Sequence, residues 1–224
     1  IALPNPDKTF TCTLFYPFEG KHSFDTMKNE ADVLDFFNTH FADSVPLMPD
    51  LVKDFFENPT GSLVTVRCYP WVRGKATLIG DACHAIVPFY GQGMNCAFED
   101  CVILDECLEE HLPNWEAAMD AYQKSRKANA DAIADLALQN FIEMRDLVGD
   151  KDFLHQKEIE HQICELYPDF FKSQYEMTTF TNVPYSEAKN RGAKNTMLVK
   201  EIIANGWEEK IDDRAFMTKL LQKH

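Results

Sequence analysis

The stretch Gly80–Asn95, Gly-Asp-Ala-Cys-His-Ala-Ile-Val-Pro-Phe-Tyr-Gly-Gln-Gly-Met-Asn, constrains this chain more than any other. Before it, the apolar run Ala76-Thr77-Leu78-Ile79 reads as a buried strand that stops at Gly80. Asp81 then stands at a strand's carboxyl end, where open α/β folds place their ligand contacts. Further on, Gly91-Gln92-Gly93 opens a helical pattern that begins near Met94. Glycines let a ligand approach the backbone, and the unpaired amides of a helix start favour partial negative charge. An acid on a strand end together with a glycine-rich helix start suits a polyol that carries an electron-rich ring or a phosphate.

Composition narrows the partners. A formal charge of −14 over 224 residues argues against nucleic acid, whose phosphates need clustered Lys and Arg, and against docking on an anionic membrane. No apolar run approaches the ~18 residues of a membrane span. The cysteines number seven and form no Cys-x-x-Cys pair, so neither a zinc ribbon nor a dithiol redox motif is present. His161 and Cys164 share one ligand-like spacing without a second pair, and read as a surface histidine and a half-buried thiol. No metal site is expected, and the odd cysteine set fits reduced thiols in a reducing, cytoplasmic compartment.

In chain order, residues 9–18 alternate and predict a strand with Phe10, Cys12, Leu14, Tyr16 and Phe18 on one buried face. Residues 31–42 carry a helical stripe of Val33, Phe36, Phe37 and Phe41, broken by Pro46 and Pro49, and Leu51–Phe56 continue as a short helix. Asn58-Pro59-Thr60-Gly61 is a turn, and residues 62–69, rich in β-branched side chains, predict a second strand. Residues 94–111 predict a helix with Phe98, Cys101, Val102, Leu104 and Leu108 facing inward. Its six acids from Glu99 to Glu110 read as a solvated face. From Pro113 the pattern is helical, with a stripe from Trp115, Met119 and Tyr122 through Ile133, Leu136, Phe141 and Met144 as far as Gly149. Helices over 152–166, 184–204 and 212–222 follow, with breaks at Pro168 and Gly206.

Gly91-Gln92-Gly93 is not the adenine-dinucleotide turn, because Cys96 stands where that motif needs its third glycine. No Gly-x-Ser-x-Gly elbow and no His-Glu-x-x-His helix occurs, so serine-hydrolase and zincin readings fail. Asp81 alone is equally a helix cap or a turn residue. Asn140, Glu143 and Met144 share one helix face, where a buried Asn must find hydrogen-bond partners, either in neighbouring helices or in a pocket. Tyr175 alone reads as a core tyrosine with a wet hydroxyl, and His84 as a packed, hydrogen-bonded histidine.

Taken together, Gly80-Asp81-Ala82, His84-Ala85, Pro88 and Gly91-Gln92-Gly93-Met94-Asn95, followed by Phe98-Glu99-Asp100-Cys101, resemble the second flavin fingerprint of FAD-dependent class A monooxygenases. Within that class the string is similar to the kynurenine 3-monooxygenase family. Phe10-Thr11-Cys12-Thr13-Leu14-Phe15, Asn140-Phe141-Ile142-Glu143-Met144-Arg145 and the segment around Tyr175, Met177, Thr179 and Phe180 extend the resemblance over residues 1–190.

The resemblance implies an α+β piece of an α/β FAD-dependent monooxygenase. Residues 1–70 would belong to the substrate-binding sheet domain, 71–112 to the end of the FAD-binding domain, and 113–224 to a helical carboxyl-terminal region. It implies FAD as resident cofactor, with Asp81 on the ribityl chain and Pro88, Gly91, Gly93, Met94 and Asn95 around the isoalloxazine. It implies L-kynurenine, NADPH and O2 as small-molecule partners, with Asn140, Tyr175, Phe89, Glu143 and Met144 at the substrate. No side chain is expected to be a nucleophile, since the oxygen transfer is carried by the cofactor. The family's amino-terminal Gly-x-Gly-x-x-Gly turn, its ribose-binding acid and an Arg that clamps the substrate carboxylate have no counterpart in this sequence. The chain by itself is therefore expected to bind FAD weakly or not at all. The alternatives are a sister hydroxylase of another aromatic acid, or an inactive piece that serves as an interaction module. The tail beyond residue 190 lacks a hydrophobic anchor, which favours a soluble protein.

Overall fold

Alternation places the first strands but does not bury them. The computed structural model describes residues 1–223, and the chain divides into two units, Ile1–Ser62 and Leu63–His224. In the first, β1 (Ala2–Pro4) pairs antiparallel with β2 (Phe10–Cys12), Leu3 opposite Thr11. The expected strand does not run on to residue 18, and Phe10, Cys12 and Phe18 are exposed. A two-stranded ribbon carries no second layer against which to bury a face. Leu14 and Tyr16 are half-buried because they reach the helices instead. There α1 (Glu30–His40) opens on a capping box in which Asn29 and Asp32 satisfy each other's backbone amides. Its buried Val33 and Phe37 pack with Met27 and, from α2 (Leu51–Glu57), with Phe55. Phe41 lies past the last helical residue and is exposed, so it leaves the predicted stripe.

Residues 62–69 form no strand; they are tied to the following segment by Val66 N–H donating to Ala85 O at 2.8 Å and by Trp71 Nε1 donating to Cys68 O at 2.8 Å. The ladder that does form is a hairpin, β3 (Val72–Arg73) with β4 (Ala76–Thr77), turned by Gly74 at φ +59°. The run before Gly80 is therefore not a buried strand: Ala76 and Leu78 are exposed, and Ile79 only half-buried against Trp71 and Cys83. Helices make up most of the remainder, and the strand content is smaller than an α+β reading implies.

These are α3 (Asp81–His84), α4 (Gly93–His111), α5 (Trp115–Ile142), α6 (Lys151–Leu166), α7 (Gln174–Phe180), α8 (Tyr185–Ala204) and α9 (Arg214–Leu221). Asn114, Asp150, Ser173 and Asp213 each cap a helix by accepting a backbone N–H of the first turn. A π-helical turn, Glu143–Leu147, follows α5 directly. One core joins α6, α8 and α9 through Ile159, Ile163, Leu198, Ile202 and Met217. A second holds α4 and α5 against the start of α8 through Cys96, Ile133, Leu136 and Tyr185. The buried face of α4 is Cys96, Asp100 and Cys107; of the predicted residues Leu104 and Leu108 are half-buried, Leu104 against the core, but Phe98 is 62% and Val102 55% exposed, and Cys101 is exposed too. The helix is turned to carry Asp100 inside, so one of the six acids is not on a solvated face.

Candidate functional site

Gly80 sits at φ +60°, where an L side chain is strained, and a Cβ there would meet Ala97 Cβ at 3.3 Å. Its amide donates to Asp100 Oδ2 at 3.0 Å. Asp81 follows as the first residue of α3 and is exposed. The chain then passes through a 3-10 turn, Pro88–Tyr90, with Pro88 exposed at its first position, and leaves it through Gly91 at φ +65°. A side chain added at Gly91 would project into open space. Gln92, buried, precedes α4; its Oε1 accepts from Asn95 Nδ2 at 3.0 Å and from the Tyr185 hydroxyl at 3.2 Å. The first bond into α4 runs from Cys96 N to Gln92 O, so the amides of Gly93, Met94 and Asn95 precede it. Met94 is 68% exposed and Asn95 is exposed as well.

Behind this surface lies a cluster of buried charge. Asp100 Oδ2 receives His84 Nε2 at 2.5 Å as well as the Gly80 amide, and Oδ1 receives Arg126 Nε at 2.7 Å. The same guanidinium reaches Glu99 at 2.7 Å and Cys96 O at 3.3 Å. Burial alone would lower the His84 pKa, but its hydrogen bonds to Asp100 and Cys96 and their charges override this and hold it at about 10. Burial likewise opposes ionisation of Asp100, yet His84 and Arg126 keep its carboxyl below the usual carboxylate range. The cluster is thus an imidazolium and a guanidinium on two carboxylates. Cys83, His84 and Asp100 bring donor atoms within 4.8 Å of one another. Burial, then the charge of Asp100, pushes the Cys83 thiol up to about 12, and it donates to Gly80 O at 3.2 Å. Asp100 already accepts from three donors, His84, Arg126 and the Gly80 amide, so its oxygens are engaged within the cluster.

On the far side of the loop, Tyr90 walls a cavity of about 690 Å³. Asn140, Glu143, Met144 and Tyr175, which sequence spacing scatters over two elements, all line it. The Tyr90 and Tyr175 rings stack at 5.7 Å. Phe89 does not line the cavity: its ring tilts against Phe141 at 4.7 Å, and its carbonyl accepts from Asn140 Nδ2 at 2.7 Å. Asn140 therefore ties the 3-10 turn to α5. Facing these, α6 contributes Lys157, Glu160, His161 and Cys164, none of which was singled out as a site residue from the sequence. Their recurrence at helical spacing was the available signal. Lys157 approaches Glu160 at 3.1 Å and Glu143 at 4.0 Å. Burial, then Glu160, pushes the Cys164 thiol up to about 11, which favours its protonated form.

The donor set fits a flavin: an exposed carboxylate for hydroxyls, glycines that open the backbone, and helix-start amides for an electron-rich rim. Residues 49–137 match a family described as an FAD binding domain. The chain is 48% identical over 204 residues to a kynurenine 3-monooxygenase of Flavobacterium johnsoniae, covering 91% of this chain and 46% of that relative. It is 44% identical over 239 residues to the kynurenine 3-monooxygenase of Dictyostelium discoideum, covering 100% and 52%. It is 48% identical over 203 residues to that of Myxococcus xanthus, covering 90% and 44%. The chain spans about half the length of the curated relatives it matches. The resemblance first carried by Gly80–Asn95 thus extends over nearly the whole sequence.

Proposed function

We propose, with this likeness as premise, that the chain is the carboxyl-terminal half of an FAD-dependent monooxygenase that hydroxylates L-kynurenine to 3-hydroxykynurenine with NADPH and O2. The observation that carries the reading is the convergence of Asn140, Glu143, Met144 and Tyr175 on one cavity walled by Tyr90 of the glycine-rich loop. FAD, once reduced by NADPH, supplies the oxygen transfer to the aromatic ring. The chain's own part is to bind, orient and keep dry. Asp81 accepts hydrogen bonds from the ribityl hydroxyls. The amides of Gly93, Met94 and Asn95, with Pro88 and Gly91 shaping the approach, face the ring edge where negative charge accumulates on reduction. Asn140, Glu143 and Tyr175 receive the amino-acid end of the substrate; Met144 fills apolar space. Phe89 acts through its carbonyl on Asn140.

Residues 71–112 are assigned to the FAD-binding domain, 113–224 to the helical region that closes the pocket, and 1–70 to the substrate-binding sheet domain. Among the described residues no helix is long and apolar enough to cross a membrane. The cysteines are all free, and this supports a cytoplasmic, reducing setting.

The test is FAD titration and NADPH oxidation in the protein that carries this chain, with L-kynurenine against p-hydroxybenzoate. Tight FAD binding and stimulation by kynurenine alone are expected. Stimulation by p-hydroxybenzoate instead assigns a sister hydroxylase, and no flavin-dependent turnover with either removes the enzymatic reading. Tyr175→Phe and Asn140→Ala should raise KM for kynurenine with flavin still bound; flavin loss would place both residues wrongly.

A further inference from the structure

The ion cluster beneath Gly80 touches neither the cavity nor the exposed amides, yet taking its charges out of water is costly. Asp100 is 0% and Arg126 1% exposed, and charges so placed are seldom the most stable way to fill a core. What they offer instead is direction, because charge-assisted hydrogen bonds hold their partners at fixed angles.

We propose that Asp100, His84 and Arg126 form a clip that aims both flavin-facing groups, the Asp81 turn and the first turn of α4; the proposal rests on the flavin reading above. α3 is a single turn, too short to hold its own direction, and the ribbon before it has only two rungs. Both of its ends converge on one oxygen, Asp100 Oδ2, through Gly80 N at 3.0 Å and His84 Nε2 at 2.5 Å. Asp81, next in the chain to the pinned nitrogen, takes its orientation from that oxygen. Arg126 fixes the carboxylate from α5 through Oδ1, and its NH2 group donates to Cys96 O at 3.3 Å, inside the first turn of α4. One carboxylate and one guanidinium therefore connect the acid to the amides across the loop. These three are positioning residues; none of them contacts the ligand.

The experiment compares His84→Leu with His84→Gln in the protein that carries this chain, since the glutamine amide can still donate to Asp100 and the leucine cannot. FAD dissociation constants are measured by flavin fluorescence, and hydrogen exchange is followed over residues 80–84. The leucine variant should bind FAD about tenfold more weakly or worse and exchange faster at 80–84. The glutamine variant should stay within about threefold of wild type, and kynurenine KM at saturating FAD should be unchanged in both. Wild-type affinity in the leucine variant overturns the clip, and so does equal weakening in the two variants, which would mean a packing role only. If the leucine variant does not fold, Glu99→Gln reads the clip from its half-exposed end. There a weakening of about threefold with Tm unchanged supports it, and unchanged affinity overturns it. Failure of the wild-type protein to bind FAD sinks the flavin reading, a separate result.

Discussion

Gly192→Ala sets two opposite effects against each other, and the geometry decides the sign. Gly192 is buried on α8 where α7 crosses it. An added Cβ would lie 2.6 Å from Gln174 Cδ and 2.7 Å from Gln174 Cβ. Carbon atoms pack best at about 3.5–4.0 Å, so α7 must retreat by about 1 Å. The amide end of Gln174 can swing aside; its Cβ, one bond from the backbone, cannot. Against this, alanine in a helix interior is favoured over glycine by about 0.8–1.0 kcal/mol. Overpacking of this kind costs about 1–3 kcal/mol, so the balance in urea denaturation should fall between about zero and a net loss of about 2 kcal/mol. The shift is local as well, because Gln174 is followed by Tyr175, whose ring stacks on Tyr90 at the cavity wall. Kynurenine KM should therefore rise with the stability loss. A variant that is more stable than wild type by up to about 1 kcal/mol would show an ordinary exposed helical glycine, and would refute the close approach of α7.

Two further outcomes follow from caps and charges. Asp213 accepts from Ala215 N at 3.0 Å and Phe216 N at 3.1 Å, so Asp213→Ala should cost about 1 kcal/mol by urea titration and loosen α9; no change would deny the cap any role. His84, held at about pKa 10 against an unfolded value of about 6.5, adds stability that is complete below about pH 6.5 and fades as pH rises through about 10. Urea midpoints from pH 6.5 to 10 should thus fall more steeply for wild type than for His84→Gln, and parallel profiles would exclude a charged His84.

Helices α5, α6, α8 and α9 were legible because their period and breaks such as Pro168 and Gly206 mark their extents, whereas the short α7 carried no such pattern and was not legible. The sheet was not. β-branched residues at 62–69 record a preference for pleated, half-covered surroundings, and here they have no ladder to join. The face of α4 was misread for a different reason. Phe98 and Val102 outweigh Cys96 in hydrophobicity, whereas what turns Asp100 inward is Arg126, from another helix, and no spacing within α4 reveals it. Asn140, Glu143 and Met144 were legible as one face, while the α6 wall of the cavity was not, since Lys157 and Glu160 look like any solvated i,i+3 pair until the opposite wall is present.

Arg126 and Asn140 belong to the same uninterrupted helix, α5 (Trp115–Ile142). At ~1.5 Å per residue the rod sets them about 21 Å apart, and at ~3.6 residues per turn each added residue would swing the far end by about 100°. The helix is thus a gauge whose units are residues: it keeps the buried ion cluster and the Tyr90 cavity in phase by counting. Exposed positions along it, such as Ala128 and Leu138, are free to change in identity but not in number. A single insertion between Arg126 and Asn140 would leave every local contact chemically possible and still turn the Asn140 amide away from the Phe89 carbonyl.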